Sequence, residues 1–262
     1  MNASNTGTVY LVGGGPGNPE LLTLRAARLI AGTATIVYDN LVGKEILELI
    51  PAETERIYVG KQAGNHTLPQ EEINALLVRL AISGKSVVRL KGGDPFIFGR
   101  GGEEIEELLQ HGIPFEVVPG VTAASGMAAY AGIPLTHRDY AQACAFVTGH
   151  LKDGSVDLDW PALARPRQTI VIYMGIGALA EICRQLTAHG LPTTTPAAVV
   201  QNATLTQQRI VSGTLASLPE RVMGSGIVPP ALIVIGDVVP LREKLDWFDN
   251  SADSSIESPE PG

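Results

Sequence analysis

Apolar residues along this chain fall into two kinds of stretch that take turns. In one kind they form short unbroken runs, at Thr8–Val12, Ile36–Tyr38, Arg56–Val59, Ser86–Leu90 and Phe115–Val118, which read as strands. In the other they recur every three or four positions. Leu22, Ala26, Leu29 and Ile30 place a helix over Glu20–Ala31, and a short one covers Lys44–Ile50. Pro69 opens a third, with Glu71 and Glu72 at its positive end, which runs through Ile73, Leu76, Leu77 and Leu80 to a stop at Gly84. Glu103–Gln110 forms a fourth. Strand and helix in strict turn predict a parallel or mostly parallel sheet.

After a small-residue helix at Thr122–Ala131 the pattern restarts. Strands are expected at Ala145–Thr148, Thr169–Tyr173, Ala197–Gln201, Gln208–Ser212 and Ala231–Ile235, with a helix at Ala178–Ala188. The strands flanking the polar Asn202–Thr206 link read as a hairpin, so the second sheet is expected to be mixed. This predicts two α/β domains, divided as 8–125 and 126–245. Residues 1–7 and an acidic tail, 246–262, are expected to be disordered.

Composition sharpens the picture in a few places. At 262 residues the chain suits two domains, and its 45% hydrophobic content with only 5% aromatics suits aliphatic parallel strands covered by helices. No apolar run approaches the roughly 18 residues that span a bilayer, and the start MNASNTGT has neither basic flank nor apolar h-region. Cys144 and Cys183 are too few for a disulfide framework, so reduced thiols and a cytoplasmic location are expected. The net charge of −8 argues against nucleic acid as a partner. Between Arg56 and Arg100, however, seven Lys/Arg face three acids, a basic stretch suited to an anionic small molecule or to a solvated face.

Two glycine-rich loops carry the candidate chemistry. The first, VYLVGGGPGNP, follows a strand and opens a helix, with Asp39 ending the next strand. It imitates a dinucleotide-binding turn, but the glycines do not follow G-x-G-x-x-G and Pro16 removes a backbone donor. A structural turn and a loop lining some other ligand both remain open. The second, KGGDPFIFGRGGEE from Lys91, lets a ligand approach the backbone closely and lacks the G-K-[ST] of a Walker A loop. Arg100 and Glu103 stand together at the next helix start, where the pair can cap the helix or meet a ligand. The histidines show no metal-ligand spacing, and Ser125 lacks the frame of a hydrolase nucleophile.

The run VRLKGGDPFIFGRGGEE from Val88 closely resembles the motif of uroporphyrinogen-III C-methyltransferases, in the tetrapyrrole methylase superfamily. Further blocks resemble the same family in order: GGGPGNPELLTLRA, VYDNLV, VGKQAGNHTLPQEEIN, PGVTAASGMAAYAGIPLTHRDYA, YMG at Tyr173–Gly175 and QNAT at Gln201–Thr204. The resemblance covers about residues 8–240. It implies the family's fold of two α/β domains, the first sheet mostly parallel and the second mixed. S-adenosylmethionine would lie in the interdomain cleft and leave as S-adenosylhomocysteine. The implied reaction is C-methylation of uroporphyrinogen III at C2 and C7, through precorrin-1 to precorrin-2, for sirohaem, cobalamin or haem d1, without a metal.

By that resemblance Pro16, Gly92, Gly93, Asp94, Ile97, Thr122, Ala123, Met174 and Ala203 hold the cofactor. Asp39 is implied as proton acceptor and Lys61 as donor, with Arg100 and Glu103 as alternatives for the proton step. The substrate carries eight carboxylates, which calls for cations, bidentate arginine above all. Arg100 and Arg138 lead, His150 and Lys91 follow, Glu103 accompanies Arg100, and Arg89 reads as structural within its strand. The resemblance also implies a homodimer with a small-molecule tetrapyrrole substrate and neither nucleic acid nor membrane as partner. A dehydrogenase/chelatase module like that of fused sirohaem synthases is not expected, since the chain opens on the methylase motifs. The competing readings are a later corrinoid, protein or RNA methylase of the same superfamily, a nicotinamide oxidoreductase, and a non-catalytic anion-binding protein.

Overall fold

The computed structural model describes residues 6–60, 68–149 and 156–248. The first half runs β1 (Val9–Gly13), α1 (Leu24–Gly32), β2 (Thr35–Tyr38), α2 (Lys44–Glu48), β3 (Glu55–Tyr58), α3 (Gln70–Ile82), β4 (Val87–Lys91), α4 (Gly101–Gln110) and β5 (Phe115–Val118). Its five strands pair in the order β3-β2-β4-β1-β5, all parallel. Alternation along each strand feeds two faces. Val37 and Val87 join Ile73 and Leu77 of α3 and Leu108 of α4 on one side, while Ile36 and Val88 join Ile30 of α1 and Ile46 of α2 on the other. Parallel strands buried on both faces need such aliphatic runs.

The second half runs α5 (Ala123–Tyr130), β6 (Ala143–Thr148), α6 (Trp160–Leu163), β7 (Gln168–Tyr173), α7 (Leu179–Ala188), β8 (Pro196–Gln201), β9 (Arg209–Thr214), α8 (Leu218–Met223), β10 (Ala231–Ile235) and α9 (Arg242–Leu245). The order is β6-β7-β10-β8-β9, parallel between β6 and β7 and antiparallel elsewhere, so the sheet is mixed and β8–β9 is the expected hairpin. Helices α6, α7 and α8 cover one face and α5 the other. Two sheets with helices on their faces match the fold class anticipated from the pattern.

Several details differ from the sequence reading. The helix expected over Glu20–Ala31 is broken: a 3-10 turn, Pro19–Leu21, is capped by Asn18, and α1 starts afresh after Thr23, whose hydroxyl accepts from the Ala26 amide. Two capping side chains five residues apart outweigh the apolar spacing. A division at 125/126 falls inside α5, yet Ala124 and Met127 pack together against the second sheet. The junction therefore lies between β5 and α5. Ordered contacts also reach past the expected boundaries: the Gly7 amide donates to the Ala81 carbonyl, and Trp247 Nε1 donates to the Ala129 carbonyl. Trp247 and Phe248 both lean on the Tyr130 ring, with centroids 5.1 and 4.8 Å away. No helix among the described residues is long and apolar enough to cross a membrane.

Candidate active site

All five strands of the first sheet point their C-terminal ends to one edge, the edge where open α/β sheets place their ligands. The loops leaving β1, β4 and β5 interlock there through glycine. Gly15 and Gly93 exchange two backbone hydrogen bonds, of 3.1 and 2.7 Å, and the Gly14 amide donates to the Lys91 carbonyl at 2.7 Å. A Cβ on Gly13 would stand 2.5 Å from the Gly120 nitrogen, and one on Gly92 would stand 2.4 Å from the Leu41 oxygen. Asp94 ties the same loops with side-chain bonds: Oδ1 accepts from the Phe96 amide at 2.8 Å and Oδ2 from the Gly120 amide at 3.1 Å. The first glycine loop is thus a turn locked against the second.

The second half closes onto this edge. Tyr173 ends β7, and its hydroxyl shares a hydrogen bond with Thr122 Oγ1 (2.7 Å) and accepts from the Ala124 amide (2.9 Å), while its ring meets Phe98 at 4.8 Å. The Asn18 amide donates to Thr204 Oγ1 at 3.2 Å, and a Cβ on Gly126 would collide with Pro16 and press on the Thr204 methyl. These contacts gather Pro16, Gly92, Gly93, Asp94, Thr122 and Ala123 at the junction of the two halves, while Ile97 follows the second glycine loop, Met174 follows β7 and Ala203 follows β8. Met174, next after β7, is 56% exposed. Five non-glycine residues in this region hold left-handed backbone: Phe98, Arg100, Met174, Asn202 and Thr204, with φ between 50 and 74°. Only Arg167 does so elsewhere among the described residues.

At the start of α4 Arg100 and Glu103 form a bidentate pair, Nε to Oε1 at 2.8 Å and Nη2 to Oε2 at 2.7 Å, with both side chains about half exposed. That bond raises the guanidinium's pKa, against a smaller effect of burial. Arg100 occupies the N-cap position of α4 without a side-chain capping bond of its own. Asp39 follows β2; its Oδ1 accepts from the Leu41 amide at 3.0 Å and its Oδ2 from Arg89 at 2.9 Å. It closes a turn and does not cap α2, whose N-cap is Gly43.

Some expected residues do not join the cleft. Arg138 is exposed in the loop between α5 and β6, and its carbonyl accepts from Arg167 Nη2 just before β7. It therefore lies by the N-terminal ends of β6 and β7, roughly 17 Å of strand from Met174 at about 3.3 Å per residue. The loop has to return to the start of a strand whose far end faces the cleft. Lys91 is buried against Glu104 at 2.9 Å, where burial and neighbouring Arg89 push its pKa down and Glu104 opposes them. It is not placed to meet substrate. Lys61 and His150 lie outside the described residues. Sequence reasoning missed Tyr173 as the bridge between the halves and Glu104 as the acid between two buried cations. A signal for Glu104 exists: Arg89 and Lys91, two apart on one strand face, require a buried acid.

A depression of about 770 Å³ at the opposite edge of the first sheet is lined by Arg28, Thr35, Glu55 and Lys85. There Glu55 is already satisfied by Lys85 at 2.7 Å and by Thr35. Among the described residues no cluster of three His, Cys, Asp or Glu side chains is placed to hold a metal ion.

Comparison with known proteins shows the family to which this fold belongs. Residues 8–219 match the family model described as Tetrapyrrole (Corrin/Porphyrin) Methylases. A siroheme synthase of Nitrosospira multiformis is 65% identical over 242 residues, covering 92% of this chain and 51% of that protein. The chain spans about half the length of the curated relatives it matches. The crystal structure of uroporphyrin III C-methyl transferase from Thermus thermophilus is 44% identical, with a TM-score of 0.78, covering 90% of this chain and all of that one. The same Thermus enzyme complexed with S-adenosyl homocysteine matches equally well.

Proposed function

The chain belongs to the tetrapyrrole (corrin/porphyrin) methylase family, and on that premise we propose that it transfers methyl groups from S-adenosylmethionine to uroporphyrinogen III, at C2 and then C7, giving precorrin-2 by way of precorrin-1. The observation that carries this reading is the junction of two features in one segment. In this reading Gly92, Gly93 and Asp94 form the cleft floor, and the half-exposed Arg100–Glu103 pair follows six residues later.

The residues present fit the methyl donor. A Cβ at Gly93, φ 68°, would have only the Ala123 nitrogen within 4 Å, at 3.6 Å, so the space above the floor is open and borders the first turn of α5. Carboxylate oxygens accept more than one bond, so Asp94 can hold its loops and still accept from a ribose hydroxyl or an amino group. Met174 offers an adaptable apolar wall. The sulfonium, when bound, supplies an activated methyl: the pyrrole carbon takes it, the carbon–sulfur electrons return to sulfur, and the macrocycle sheds a proton. The chain's part is in-line positioning and removal of that proton. Asp39, at the same edge, is the acceptor in this reading, with Lys61 as donor. Arg100 binds a substrate carboxylate, and Glu103 sets its fork.

The test is to incubate the protein with uroporphyrinogen III and S-adenosylmethionine under reducing conditions and weigh the product. Two added methyls are expected. Arg100→Ala is expected to abolish product while S-adenosylhomocysteine still binds in calorimetry. Absence of methylated product from the native chain overturns the reading.

A further inference from the structure

Along β4, Val87, Arg89 and Lys91 face the side covered by α3 and α4. Two cations in the row of a core strand demand an account. Both are nearly sealed, at 2% and 4% exposure, and both bond the same oxygen of Glu104 on α4, a residue with no exposed surface. Arg89 reaches Glu104 Oε1 through Nε at 3.1 Å, the Leu90 carbonyl through Nη1 at 3.1 Å, and Asp39 Oδ2 through Nη2 at 2.9 Å. Its planar fork is thus fixed on three sides.

The cluster is graded in exposure. Glu104, Arg89 and Lys91 show 0, 3 and 5% of their side chains to solvent, whereas Asp39 shows 21%. Asp39 is the member that emerges at the cleft edge, and its other oxygen is held by the Leu41 amide. Charges buried in this way seldom add stability over apolar residues of the same volume, because desolvation consumes the Coulombic gain. Among the described residues Glu104 Oε2 even lacks a hydrogen-bond partner, a further cost at a fully buried acid. An arrangement poor as a stabiliser but rigid toward one partly exposed carboxylate points to a role in the site.

We infer that Arg89, itself anchored by Glu104, is a positioning residue that fixes the orientation of the Asp39 carboxylate at the cleft. This rests on the proposed role of Asp39 as proton acceptor.

The test uses the full chain with Arg89→Met, Arg89→Lys, Asp39→Asn and the Asp39→Asn/Arg89→Met pair. Each is checked for folding by thermal melting and for S-adenosylhomocysteine affinity by calorimetry. Arg89→Met is expected to lower kcat about tenfold or more while KM for both substrates and S-adenosylhomocysteine affinity stay within about twofold. Arg89→Lys is expected to recover part of kcat, since an ammonium supplies the charge without the fork. In the double variant kcat is expected to equal that of Asp39→Asn, because the residue being positioned is already gone. Where Arg89→Met fails to fold, Arg89→Lys carries the test by a lowered kcat at constant KM. The inference is overturned if Asp39→Asn is inactive and the Arg89 variants turn over normally, or if the losses multiply in the double variant. Native turnover in Asp39→Asn overturns the proton-acceptor reading itself, and the inference with it.

Discussion

Replacing Tyr173 by Phe removes one oxygen from the junction between the two halves, and its cost can be worked from the contacts. Thr122 sits at the N-cap of α5 but makes no capping bond with its own hydroxyl; the Tyr173 oxygen takes the Ala124 amide instead, at 2.9 Å. Helix α5 is therefore capped by a side chain from the neighbouring strand, where a local residue would ordinarily serve. Ala124 has no exposed surface, so the variant strands a buried donor, at about 1–3 kcal/mol. The bond to Thr122, at 2.7 Å, adds at most about 1 kcal/mol, because that hydroxyl is only half-buried and can turn to water. The ring keeps its neighbours Phe98 and Phe146, at 4.8 and 6.1 Å, so no cavity opens. The expected loss of unfolding free energy is about 1–4 kcal/mol in urea titration at unchanged m-value. Weaker binding of S-adenosylhomocysteine is expected alongside it, because Thr122 and Ala123 lie in the turn set free. A loss below about 0.5 kcal/mol, as for an ordinary surface change, refutes the capping argument.

Gly92→Ala would put a Cβ 2.4 Å from the Leu41 carbonyl oxygen, a backbone atom with little room to yield. It is expected to cost about 1–3 kcal/mol and to abolish detectable S-adenosylhomocysteine binding in calorimetry, whereas Gly32→Ala, the last residue of α1 with nothing within 4 Å, leaves binding unchanged and raises stability by at most about 1 kcal/mol. Burial pushes the Cys183 thiol up to about 11 from 9.0. Because its folded pKa is the higher, its contribution to stability is whole below pH 9 and is lost as pH rises through about 11. Native protein and Cys183→Ala compared by denaturant titration from pH 8 upward should therefore differ by a constant amount until about pH 9 and by progressively less above it. A difference that stays constant through that upper range counts against the assignment.

Much of the fold could be read from periodicity because strand runs such as Val87–Leu90 and spacings such as Ile73, Leu77 and Ala81 record which face is buried. The glycine loops could be read as places of close approach for a similar reason: a residue without a Cβ lets another backbone come near, as the Leu41 carbonyl does at Gly92. What escaped depends on partners far away in sequence. Nothing local to Tyr173 says that its hydroxyl reaches a helix fifty-one residues earlier, nor that Thr204 receives the Asn18 amide. The short helices α6, α8 and α9 are too brief to develop a period. Arg138 was drawn to the substrate by its chemistry alone, and strand direction carries it to the other end of the sheet. For Arg89 the reverse holds: it was set aside as structural because a strand interior hides it, yet its fork ends on the candidate base.

The left-handed residues around the cleft bear on how this protein can be changed. Side chains in that conformation cost on the order of 1 kcal/mol each, and a β-branched one such as Thr204 more. Variation selected for heat tolerance alone has an incentive to place glycine at Phe98, Met174 and Thr204, where the backbone would relax. Each such exchange deletes the ring that meets Tyr173, the side chain proposed to line the methyl donor, or the hydroxyl that receives the Asn18 amide. Robustness and turnover thus draw on the same few positions in opposite directions. A library built for durability should hold these positions constant and seek its gains on the outer faces of the helices.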